Sequence, residues 1–471
     1  MTRTQRMMAL LPLLFCIGLP VYAGTHAGFP LQNTPKTGGD GTVDQFDTNA
    51  YSLPQGNLSM TKSLDFSVGN SFFRNPWVEA PASTTARDGL GPLFNTNSCQ
   101  GCHIKDGRGH PPGSNERPVS LFLRLSVPAD PDIDAEILRT HGIKPAPVYG
   151  SQLQTAALPA AKPEADLVLT WNTVTRTLSD GTRVELREPE YRIENPNYGP
   201  LPDDLLMSPR IAPPMIGMGL LEAIPIAQIE AMSDPQDANG DGISGRLNQV
   251  WDLATEQTVP GRFGWKAGEP GVRQQSMNAF AGDMGLTSSL RPTTDCTPEQ
   301  ACDRFPDGDH PEVSDKIANF VTFYAKSLAV PARRNMETPS VQQGARLFNE
   351  TGCAGCHTPR HTTGTDADRP DLSNQTIWPY TDMLLHDMGP ALADGRREFL
   401  ADGNEWRTPP LWGVGLAQTV NTQAGFLHDG RARTLEEAIL WHGGEAEPAS
   451  ARFSQFSVNQ RQALLDFLKS L

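Results

Sequence analysis

Basic residues are scarce in this chain: 39 Lys and Arg stand against 54 Asp and Glu, leaving a formal charge of −15. A surface of that sign repels nucleic acid, which is thereby excluded as a partner, and it favours a basic protein. Apolar residues amount to only 38%, while there are 43 Gly and 41 Pro, a balance that predicts short helices tied by long ordered loops. No stretch is depleted enough in hydrophobics to read as wholly disordered. At 471 residues the chain exceeds one ordinary core and calls for two or three domains. Long apolar runs are missing after the N-terminus, so no integral membrane segment is expected in the mature chain. The first 23 residues read as a secretory signal, with Arg3 and Arg6 ahead of the run Met7 to Val21 and a small-residue cleavage site at Val21-Tyr22-Ala23. Gly18 and Pro20 argue against an uncleaved anchor, and bulky Phe15 before Cys16 argues against lipid attachment. An exported, periplasmic protein beginning near Gly24 is the expectation.

Cysteine is rarer still, at seven. Cys16 departs with the signal, and four of the other six lie in two copies of C-x-x-C-H: Cys99, Cys102 and His103, then Cys353, Cys356 and His357. Two thiols at this spacing reach the two vinyl groups of one haem as thioethers, and the following histidine turns its imidazole onto the iron. A zinc ribbon would set its two pairs much closer and would not need a histidine after each. A redox dithiol is expected once, beside a βαβ unit. Two covalently bound haem c groups are therefore predicted, with His103 and His357 as proximal ligands. Cys296 and Cys302 remain; in an oxidising compartment a local disulfide is favoured over a reactive pair.

The chain repeats itself. Leu93-Phe94-Asn95 leads into the first motif as Leu347-Phe348-Asn349 leads into the second, and Arg210-Ile-Ala-Pro213-Pro214 with Gly217 and Gly219 returns as Arg407-Thr-Pro409-Pro410 with Gly413 and Gly415. The predicted fold is thus mainly α, with two cytochrome c-like haem domains, 24–310 and 311–471. The longer first half carries a small β-hairpin insertion at about 118–200. Apolar stripes at Ile317, Phe320, Tyr324 and Leu328, and at Leu464, Leu465, Leu468 and Leu471, read as core faces of helices. Asp237, Asn239, Asp241 and Ile243 have the spacing of an EF-hand-type calcium loop over 237–248, although position twelve is Asn248 rather than glutamate; a metal-free Asn/Gly turn is the alternative.

On the two haem motifs, Arg407-Thr-Pro-Pro, Phe426-Leu-His428-Asp429-Gly430 and Thr434-Leu-Glu-Glu-Ala438, the chain resembles the bacterial dihaem cytochrome c peroxidase superfamily, in its branch of dihaem oxidoreductases also called thiol oxidoreductases. The resemblance implies an enzyme in which a small cytochrome or cupredoxin donates electrons to the C-terminal haem and an open N-terminal haem reduces hydrogen peroxide or another small oxidant. It implies a sixth ligand after the Leu-Glu-Glu-Ala helix, here His442 with Met388 as rival, and a catalytic carboxylate near the first haem, for which Glu222 is the candidate and a helix-start carboxylate the plain reading. His110 is a further ligand or proton carrier to consider, or else a loop residue. Thiol chemistry has little support, since thioether sulfurs cannot cycle to a disulfide. Two other functions stay open: an electron carrier with both haems six-coordinate, and oxidation of an organic or protein substrate.

Overall fold

The computed structural model describes residues 29–113 and 116–471, so the secretory stretch at 1–23 lies outside the described residues. Among the described residues no helix is long and apolar enough to cross a membrane.

Two crossed helix pairs organise the chain. Helix α1 (Met60–Arg74) starts where Ser59 accepts a hydrogen bond from the Lys62 amide. After α2 (Val272–Met284) comes α3 (Asp315–Ser327), capped in the same way by Ser314. Helix α1 lies across α3 at Gly69, where an added Cβ would collide with the Phe320 carbonyl oxygen. Phe66 and Phe73 then pack on Tyr324 at centroid separations of 4.7 and 5.1 Å. The second pair repeats this geometry. Helix α4 (Pro339–Glu350) opens on a proline that needs no amide partner, and it meets the C-terminal helix at Gly344, where a Cβ would collide with the Ala463 carbonyl. Between them in sequence stand α5 (Leu435–Trp441) and α6 (Glu447–Gln455); the last helix, α7 (Val458–Ser470), is held by a capping box of Ser457 and Gln460. Phe348 on α4 packs on Phe467 of α7 at 5.1 Å.

These pairs revise two sequence expectations. Helix α3, grouped with the C-terminal half by a boundary at 310/311, packs on α1 and shares a core with Phe66, Phe73 and Trp77. The residue that matches Phe348 in space is Phe73, not Phe94. Leu93-Phe94 forms a short strand against Ala156-Ala157, because residues 75–98 intervene between α1 and the first motif.

Helix makes up 30% of the structure and strand 18%, so the mainly α expectation gives way to helices mixed with small ribbons. Every sheet among the described residues has two strands. Strand β1 (Leu121–Ser126) pairs with β4 (Leu206–Ile211). Between them the insertion is a hairpin of β2 (Asp166–Thr177) and β3 (Arg183–Glu194), in register from Asp166↔Glu194 to Thr177↔Arg183. It runs longer than the sequence suggests because both faces are largely exposed, which removes the apolar alternation that marks a strand. Its tip straps the other half of the chain: Leu178 and Leu186 enter the core around Phe348 and Phe467, and Asp180 pairs with Arg461 at 2.7 Å.

Cys296 and Cys302 are joined as a disulfide. Nearby, Glu164 is 2% exposed and accepts hydrogen bonds from the Gln154 amide and the Gln300 side chain. Burial pushes its carboxyl from 4.5 up to about 8, against the pull of those donors. Between these values the unfolded chain is ionised while the folded one keeps its proton, so stability falls as pH rises through this window. Denaturant titrations at pH 5.5 and 8.5 should differ by roughly 3 kcal/mol from this group, and Glu164→Gln should flatten that part of the profile.

Candidate functional site

Each C-x-x-C-H segment borders its own cavity. In the first, Ser98 caps a single helical turn, Cys99–Cys102, and presents both thiols and His103 to one side. Burial pushes the Cys99 thiol up to about 12 and holds the Cys102 thiol well above its ordinary value, so both stay protonated. His103 Nδ1–H donates to the Pro213 carbonyl at 2.8 Å. Burial brings this imidazole down to about 4, against the carbonyl, so it is neutral with Nε2 free. Pro213 belongs to the Arg210 block, which in the first half orients the imidazole; in the second half that contact comes from outside the matching Arg407 block.

The second cavity, of about 220 Å³ against about 160 Å³ for the first, is built the same way. His357 Nδ1–H donates to the Tyr380 carbonyl at 3.0 Å, and burial lowers it to about 4. The ring of Phe348 stands 6.4 Å from it, as Phe73 stands 6.2 Å from His103. Here, however, a second imidazole enters. His442 follows the last turn of α5 and donates Nδ1–H to the Ala438 carbonyl at 2.7 Å, leaving its Nε2 free in the same cavity. Met388 also lines it. His386 does too, but both its nitrogens are engaged, Nδ1 by Glu445 and Nε2 by Asp382, each at 2.8 Å. Burial opposes charge on His386, yet the Cys356 sulfur and Asp382 hold it well above its ordinary value. Asp382, His386 and Cys356 come together within 4.8 Å, a grouping sequence reasoning missed because nothing in the local pattern marks Asp382.

Two candidates fall outside both linings. Glu222 accepts from the Val272 amide at 2.8 Å and pairs with Lys326, which fastens α2 to α3. His110 Nδ1 meets the Pro111 carbonyl in its own loop. The carboxylates that do line the first cavity are Glu269, Asp283 and Glu398. Glu398 is held well below the usual carboxylate range: burial opposes its charge, but Arg210 and Arg396 dominate. Glu269 is raised, by burial first, while Asn278 and Gln274 donate to it at 2.6 and 3.1 Å. In the same lining the buried Gln275 Oε1 has no partner among the described residues.

In the 237–248 loop the carboxylates are spent on their own turn. Asp237 accepts from the Gly242 amide at 3.1 Å, Asn239 from Asp241 at 2.8 Å, and Asp241 from Ile243 at 2.9 Å. Asn248 points inward instead, donating to the Lys266 and Glu398 carbonyls. Asp241 and Ile243 edge the second cavity.

One wall serves both cavities: Arg108, Trp265, Arg407, Pro409 and Pro410 line each of them. Trp265 is fixed there by its indole N–H, which donates to the Ile211 carbonyl at 2.8 Å.

The model of the family described as "Di-haem oxidoreductase, putative peroxidase" matches residues 32–471. Searches of curated proteins and of solved structures find no match.

Proposed function

The chain belongs to the di-haem oxidoreductase family, and from that premise we propose that it is an exported c-type cytochrome that takes electrons from a redox protein and reduces hydrogen peroxide. The donor set supports covalent haem at both cavities. Each has two thiols, raised by desolvation, beside a neutral imidazole whose Nδ1 proton rests on a carbonyl, the second-layer contact that orients a metal-bound histidine. When bound, the two haems supply electron storage, electron transfer and the reduction of peroxide.

A single asymmetry carries the division of labour. The second cavity holds two imidazoles, His357 and His442, whose Nδ1 rests on a carbonyl and whose Nε2 is free, whereas His103 is the one histidine among the described residues in the lining of the first. His357 and His442 would hold the second haem with two strong ligands, which would lower its potential and suit it to relay, and the first haem, held by His103, would be left to meet the oxidant. Trp265 places an indole in the common wall, so a single layer of side chains separates the two centres. Glu269, whose carboxyl burial raises above its ordinary value, is the group that would carry a proton to a departing hydroxide, and Gln275 offers a carbonyl acceptor in the same lining. The acidic surface suits a basic donor such as a small cytochrome or cupredoxin. The two haem-binding units run up to the end of α3 and from α4 onward. The calcium reading of the 237–248 loop rests on its spacing alone, with Asn248 turned away.

Electron paramagnetic resonance of the haem-loaded protein tests this. One high-spin haem that responds to peroxide is expected in the half-reduced state, and His442→Ala should create a second. Two low-spin haems in both redox states, the first capped by Met215, Met218 or Met284 from its cavity wall, would leave an electron carrier instead.

A further inference from the structure

Among the described residues, four of the seven buried arginines are matched by acids. Arg210 and Arg396 share Glu398 at 2.8 and 2.9 Å, Arg431 meets Asp429 at 2.8 Å, and Arg461 meets Asp180 at 2.7 Å. Three are not so matched: Arg333, outside both cavity linings, is satisfied by the Ser470 hydroxyl and the Gln32 carbonyl and lies over Phe467, whereas Arg108 and Arg407 stand in the wall common to the cavities. Arg108 is 6% exposed and Arg407 7%, and among the described residues neither forms an ion pair. Their partners are carbonyls. Arg108 donates Nε to Gly425 at 3.0 Å and Nη2 to Leu427 at 3.2 Å; Arg407 donates Nε to Gly264 at 2.9 Å and Nη1 to Thr408 at 3.0 Å. Each keeps one terminal nitrogen uncommitted, Nη1 of Arg108 and Nη2 of Arg407. Burial brings both guanidinium groups down to about 10, still charged at neutral pH.

A guanidinium in the interior without a counter-charge is among the costlier arrangements a fold can contain. What sets Arg108 and Arg407 apart from Arg333 is a terminal nitrogen left uncommitted at the edge of two cavities, where an anion would complete them, and the planar fork matches a carboxylate. We infer that Arg108 and Arg407 hold the propionate carboxylates of both haems at the shared wall, so that one pair of cations sets the potentials of the two centres together. The inference rests on the haem reading above. Arg124 provides the contrast: it lines the first cavity alone, pairs with no acid among the described residues, and is held over Phe122 at 5.1 Å.

The geometry predicts which variants act on one centre and which on two. A cation beside a haem favours the reduced form, so its loss lowers the potential. Spectroelectrochemical titration of the loaded protein should show Arg407→Gln and Arg108→Gln each shifting the reduction equilibrium of both haems about tenfold or more toward the oxidised form, which is about 59 mV for a one-electron couple. Arg124→Gln should shift the first haem alone. Arg407→Lys keeps the charge and should restore most of the shift. It also serves if the glutamine variant fails to load haem. Protein carrying fewer than two haems by mass would defeat the haem reading itself. Two attached haems whose potentials stay within twofold in both glutamine variants, or move at one centre only, would overturn the shared anchor and leave the haem reading intact.

Discussion

Glu269→Gln should lower peroxide turnover by about 100- to 10,000-fold, the range spanned by removal of a positioned acid or base, while haem content and the resting spectrum stay those of the parent. The reason is environmental. Glu269 lines the first cavity, its carboxyl is raised by burial, and its two donors, Asn278 and Gln274, fix its orientation without supplying a counter-charge. Glutamine preserves the shape and cannot give up a proton. Stopped-flow reduction of peroxide by the pre-reduced protein is the measurement. Glu222→Gln is the comparison, because Glu222 touches Val272 and Lys326 rather than the cavity. It should cost stability, with turnover within about threefold of the parent, since a carboxylate remote from the reacting atoms adds nothing to the acid–base term. If Glu222→Gln abolishes turnover and Glu269→Gln does not, the assignment of the proton donor is reversed.

Gly344→Ala should destabilise the C-terminal unit by about 3 kcal/mol or more and strip the second haem while sparing the first. The added carbon meets a backbone oxygen, that of Ala463, which cannot swing aside as a side chain would. Helices α4 and α7 must separate, and with them Phe348, which packs at once on Phe467 and beside His357. Gly69→Ala meets the Phe320 carbonyl in the first pair and should do the reverse, loosening Phe73 beside His103. Denaturant titration followed at the two haem bands separates the two variants. Equal loss of both haems in either one would mean the two units unfold together.

The sequence repeat shows how far linear reading goes. Leu93-Phe94-Asn95 and Leu347-Phe348-Asn349 match as strings, yet only the second lies on a helix that flanks its own motif. The Arg210 and Arg407 blocks match as well. In space they diverge in charge: Arg210 has Glu398, whereas Arg407 meets only carbonyls. His442 is reached by the resemblance to known peroxidases, and the structure brings it to the second cavity with Nε2 free. Glu269 was out of reach, because nothing in Gly268-Glu269-Pro270 separates a cavity carboxylate from a loop carboxylate.

The sequence by itself carries the whole of the haem-attachment proposal. Capture of a haem would require two thiols and an imidazole close together along the chain, and that requirement is written locally, twice. The helix starts at Ser59, Ser314 and Ser457 are equally local, each hydroxyl accepting from an amide three residues on. Tertiary structure alone decided what faces each cavity and what divides the two. Arg108 meets Gly425 across 317 residues and Trp265 meets Ile211 across 54. Burial, which raises Glu269 and leaves Arg108 and Arg407 short of an acid, is a property of the packed whole, and no spacing along the chain encodes it.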